Sequence, residues 1–132
     1  MKFFLSIVVY ALAILATTAV CADPPFTCQN GRDAVALQKS FAKIDFTKPC
    51  PTLNQIACDG DSTAKCTPGA DGNNVWSIQP CAATLKCFAL PLVNKAGTSV
   101  TCDTQADRDD RVNRALATCP KKKKRSMRMR KI

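Results

Sequence analysis

The chain has 132 residues, with 19 Lys or Arg against 10 acidic side chains, all of them Asp, and a formal net charge of +9. Neither His nor Glu occurs, so the commonest general base is missing and catalysis is not expected. A chain of this size buries only a modest core. In chain order, residues 1–22, MKFFLSIVVYALAILATTAVCA, open with one Lys, continue as a long apolar run and end on small residues. They read as a secretory signal peptide cut after Ala22, rather than as a membrane anchor, although the apolar run has the length to span. Cys21 leaves with it.

The expected domain is residues 23–119, with residues 120–132 as a basic, disordered tail. After a short extended lead, Leu37, Phe41 and Ile44 fall at helical spacing and Asp33 supports a first turn, so a helix is predicted over about residues 33–44. TKPCPTLNQ breaks it. From Ile56 to Cys102 the segments QIAC, TAKC, NVWSIQ, KCFALPL and TSVTC are short and separated by the turn-forming stretches DGDS, PGADGNN and NKAG. This pattern predicts a small antiparallel sheet of hairpins. Residues 105–118 begin with acids and carry Val112, Ala115, Leu116 and Cys119 on one face, which predicts a second helix. The fold class is thus small, disulfide-rich α+β: a hairpin sheet flanked by an N-terminal and a C-terminal helix.

Eight cysteines remain in the mature chain: Cys28, Cys50, Cys58, Cys66, Cys81, Cys87, Cys102 and Cys119. An even count behind a secretory signal reads as four disulfides. Metal is not expected, because Cys81 and Cys87, the closest pair, have five residues between them and no His is present. Cys28 precedes the first helix and Cys119 ends the second. Their pairing would fasten the two helices and leave six cysteines for the sheet; spacing does not choose the remaining connectivity.

The charge is uneven. Residues 121–132 hold eight Lys or Arg and no acid, while residues 23–120 hold ten of each sign. The tail reads as a solvated extension, with attraction to anionic wall or membrane surfaces as an alternative role. Lys124–Arg125 is a dibasic site for a processing protease. Nucleic acid is not expected as a partner: the tail has no aromatic for base stacking, and the signal peptide routes the chain elsewhere.

For binding, NVWSIQ holds the only Trp. Alternation puts Trp76 and Ile78 on one face of the strand, with Val75, Ser77 and Gln79 on the other. Trp76 could fill the core, where it is worth several kcal/mol, or lie flat as a platform for the apolar face of a sugar ring. On the residues alone core filling is favoured, and Phe88, beside Cys87, leans further to the core. The candidate site nonetheless takes in Trp76, Ile78, Asn74, Ser77, Gln79 and Phe88, whose amides and hydroxyls suit sugar hydroxyl and acetamido groups.

The segment IACDGDSTAKC…NVWSIQPCAATLKCFALPLVNKAGTSVTCDT resembles carbohydrate-binding module family 19, the chitin-binding module found at the C-terminus of yeast chitinase. The matching positions are Cys58, Ala64, Cys66, Trp76, Cys81, Cys87 and Cys102, within a core motif over residues 50–104. NGRDAVALQKSFAKIDFTKPC is similar to the lead of small secreted basidiomycete proteins of this type. The turn before Trp76 is longer than the family's, and Cys28, Cys119 and the basic tail lie outside its usual pattern. The resemblance implies a secreted, extracellular or wall-associated protein that binds chitin or chitooligosaccharide, in chitin metabolism or the fungal cell wall, as a monomer and without a cofactor. It also tips Trp76 toward the platform. The alternative is a secreted cysteine-rich effector or antimicrobial-like factor that keeps the scaffold without binding sugar.

Overall fold

The computed structural model describes residues 22–121. The predicted signal peptide up to Cys21 and the tail from residue 122 lie outside them.

The elements run α1 (Thr27–Phe41), β1 (Ile56–Asp59), β2 (Ser62–Pro68), β3 (Asn74–Pro80), β4 (Lys86–Pro91), β5 (Thr98–Asp103) and α2 (Gln105–Ala117). All five predicted strands and both helices form, and α2 starts where its acids and Thr104 place it. The Thr104 side chain accepts from the Asp107 N–H at 3.2 Å, a capping bond for the first turn. The start of α1 differs from the expectation by about two turns. Asn30 and Gly31 are poor helix residues, and propensity alone leaves them outside. Tertiary bonds hold them in. Asn30, 1% exposed, donates from Nδ2 to Leu92 O and Lys95 O, both at 2.8 Å, and its Oδ1 accepts from the Gly97 N–H at 2.7 Å. One buried carboxamide thus fixes the loop between β4 and β5 against the helix. Gly31 sits where α1 crosses α2: a Cβ there would lie 2.9 Å from the Cβ of Ala115. Only glycine permits that approach. At its other end α1 stops at Phe41, and the N–H groups of Lys43 and Ile44 turn back to Ser40 O and Phe41 O. Ile44 leaves the helix but still packs on the core.

The hairpins build two antiparallel sheets instead of one: β1–β2–β3 and β4–β5. The reason lies in β4. Cys87, Phe88, Ala89, Leu90 and Pro91 are all buried, so both faces of this strand need cover. Cys87 and Ala89 join Phe41, Ala57 and Cys58 in the core between α1 and the three-stranded sheet. Alternation puts Phe88 and Leu90 on the other face, where the Arg108 guanidinium of α2 covers the Phe88 ring at 5.8 Å. Burying Leu90, 1% exposed, is worth about 1.5–3 kcal/mol.

Four disulfides close the structure: Cys28–Cys119, Cys50–Cys66, Cys58–Cys87 and Cys81–Cys102. The first joins the helices, as the nesting of their positions suggested. The second pins the segment after α1 to β2. The last two each tie one sheet to the other, which replaces the backbone pairing that β3 and β4 lack. Among the described residues no helix is long and apolar enough to cross a membrane.

Candidate site at strand β3

The hairpin register determines what β3 presents. Trp76 stands opposite Cys66 and Ile78 opposite Ala64, and both partners are fully buried. Side chains directly opposite in an antiparallel pair share a face, so Trp76 and Ile78 lie on the inner side of the sheet, with Asn74 at its start. β3 is nevertheless an edge strand, and none of its residues is fully buried. Trp76 is half-buried and packs on the core at its margin. Ile78 is 42% exposed.

The partner that sets the Trp76 ring is Phe46. The two ring centroids are 5.2 Å apart at an interplanar angle of 67°, an edge-to-face pair worth about 0.5–1.5 kcal/mol beyond its buried area. Phe46 comes from the segment between α1 and β1, which is clamped locally. The Cys50–Cys66 bridge holds it to the residue opposite Trp76, and the Cys50 N–H donates to Asn74 O at 3.2 Å. Asp45 accepts from the Thr47 hydroxyl at 2.6 Å and its N–H at 3.1 Å, and these bonds hold its carboxyl below the usual aspartate range.

The long turn before β3 closes on itself. The Gly69 N–H donates to Asn73 O at 2.7 Å, while Asp71 accepts from the Asn73 side chain at 3.0 Å and from its N–H at 3.1 Å. Both bonds lower the Asp71 carboxyl, the side-chain one more strongly. The Trp76 ring is packed by Phe46 beside it at the margin of the core.

The six predicted site residues do not converge. Trp76, Ile78 and Asn74 share a face. Ser77 and Gln79 point to the other side of the sheet, because the pleat reverses at every residue. Gln79 there lines an open groove of about 500 Å³ with Ile56, Thr63, Lys65, Leu85 and Val100. Phe88 is removed from the site altogether: it is 7% exposed, under Arg108, on a strand of the other sheet.

A feature that motif reading missed adjoins Trp76 through Phe46. A pocket of about 320 Å³ is lined by Gln38, Phe41, Ile44, Phe46, Cys58, Asp59 and Gly60. Gly60, at φ +58°, makes the tight two-residue turn between β1 and β2 that forms one rim. The signal in the sequence is KIDF, where Ile44 and Phe46 alternate just beyond the helix.

The described cysteines are all in disulfides, and no group of three potential metal-ligating side chains occurs among the described residues. The acids of α2 are occupied by neighbours: Asp107 with Arg111 at 2.7 Å, Asp110 with Arg114 at 2.9 Å, and Asp109 with Arg108 at 2.7 Å. The bond from Arg108, then one from Gln105, lowers the Asp109 carboxyl. No protein-family model matches the chain, and searches of curated proteins and of solved structures found no match.

Proposed function

We propose that this chain is a secreted, monomeric, non-catalytic binder of chitin or a related N-acetylglucosamine polymer, with Trp76, Ile78 and Asn74 as its contact residues. The observation that carries the reading is the half-buried Trp76 on an edge strand, its ring braced edge-on by Phe46. A ring held by a second ring loses little freedom when a sugar stacks on it, and binding costs fall when the contact group is pre-organised. An edge strand also has peptide N–H and C=O groups without a ladder partner, which suit hydroxyl and acetamido groups. Four disulfides support an oxidising destination.

The test is retention of the purified protein on insoluble chitin. Wild type is expected in the bound fraction and Trp76→Ala mostly in the supernatant. Wild type in the supernatant would refute chitin binding; a mutant retained as well as wild type would move the site away from β3.

A further inference from the structure

The pocket beside Phe46 combines three features that together describe one chemical group. Its wall of Phe41, Ile44 and Phe46 is apolar. Gln38 supplies a donor. Its Oε1 accepts from the Ala89 N–H at 2.7 Å, and this bond fixes which end of the carboxamide is which. What remains for a ligand is the Nε2 amino group, which donates only. Asp59 supplies an acceptor: its exposed carboxylate has no side-chain bond or ion pair among the described residues, in contrast to the neighbouring Asp61, which pairs with Lys86 at 3.7 Å. The floor is rigid, because Cys58 is bridged to Cys87 and both are buried.

We infer that this pocket is an acetamido subsite, which takes the N-acetyl group of a 2-acetamido sugar whose neighbouring unit lies on Trp76. The inference rests on the sugar-binding reading above and adds specificity to it. A secondary acetamide presents a carbonyl acceptor, an N–H donor and a methyl group. Gln38 Nε2 donates to the carbonyl, Asp59 accepts from the N–H, and the methyl group packs on Ile44 and Phe46. A free amine satisfies Asp59 alone, leaves the apolar wall against an ammonium and sets a cation opposite the Gln38 donor. A plain hydroxyl at the same carbon leaves the wall unfilled. The pocket therefore selects acetylated units over glucosamine or glucose units. Phe46 links the two contacts, since its ring both lines the pocket and braces Trp76.

The test uses the folded full-length protein and three soluble hexasaccharides: N-acetylglucosamine, glucosamine and β-1,4-glucose oligomers, titrated by calorimetry. Wild type is expected to prefer the acetylated oligomer by at least about tenfold. Gln38→Glu keeps the acceptor for Ala89 but loses the donor, and Asp59→Ala loses the acceptor at an exposed position. Each should weaken acetylated-oligomer binding by about tenfold, the scale of one hydrogen bond to a charged or fixed partner, and narrow the preference. In amide NMR spectra the Gln38 side-chain N–H₂ and Gly60 N–H should shift with the acetylated oligomer. Equal wild-type affinity for all three oligomers, or tight binding unchanged in both variants, would overturn the subsite and leave the Trp76 platform standing. Absence of binding to every oligomer would overturn the platform and the subsite together.

Discussion

Strands β3 and β4 are similar in length and only a short loop apart, yet they have opposite fates. Every residue of β4 from Cys87 to Pro91 is buried, under α2 on one face and against α1 and the first sheet on the other, whereas β3 has no fully buried residue and forms a sheet edge. The difference follows from composition. CFAL places apolar side chains on both faces, and two faces need two layers of cover. NVWSIQ alternates, so one layer suffices and the other side stays open. The strand that holds the fold and the strand proposed to present residues to a ligand are thus separate, and mutations in one should leave the other's task largely untouched.

The strongest way to break that separation is to remove the covering layer. Replacing both Cys28 and Cys119 by Ala releases the helices from each other, and the chain-entropy model predicts a loss of about 4–5 kcal/mol for so long a loop. Removing Cys50–Cys66, which serves the β3 side, should cost about 3 kcal/mol. Denaturant unfolding of the two double variants checks the order. A smaller contrast comes from the strands themselves. Leu90→Ala is expected to cost about 2–5 kcal/mol, while Val75→Ala, at a position 42% exposed, should cost less than about 0.5 kcal/mol. Comparable losses would mean that β3 is as much core as β4.

The smallest effect is acid titration of the carboxylates that brace the β3 surroundings. Asp45 and Asp71 have folded pKa values below the ordinary value, so their contribution is fully present above the unfolded pKa of about 3.9 and is lost as pH falls through the lower folded values. Both are solvent-exposed, so the change in stability should be slight. Carboxyl NMR titration should place their midpoints below that of an unfolded aspartate. An ordinary midpoint at Asp71 would mean that the turn before β3 is open in solution.

Much of this molecule was legible in the sequence wherever a local rule decided the matter. Turn residues separated the five strands, alternation put Trp76 with Ile78, and the acids after Thr104 marked α2. The Cys28–Cys119 pairing followed from nesting. What was hidden depends on contacts distant in the chain. α1 begins early because Asn30 is satisfied by backbone groups more than sixty residues away and Gly31 meets Ala115. The sheet divides because β4 needs cover on both faces. Phe46 escaped notice because it falls between the predicted helix end and the TKPCPTLNQ break, and only the fold brings it to Trp76. Ser77 and Gln79 were drawn to the site by nearness in sequence, although the strand periodicity already turned them away. Phe88 was drawn in the same way, and its side of β4 faces α2.

The outermost bridge has a consequence for a protein exposed to proteases. Cys28 and Cys119 close a covalent ring around nearly all the described residues. A protease that cuts once anywhere between them opens the ring without releasing a fragment, and the exposed turns at residues 69–73 and 92–97 lie inside it. A nicked molecule therefore keeps both halves at each other's full effective concentration, runs as one species until it is reduced, and can retain its surface after its backbone has been cut.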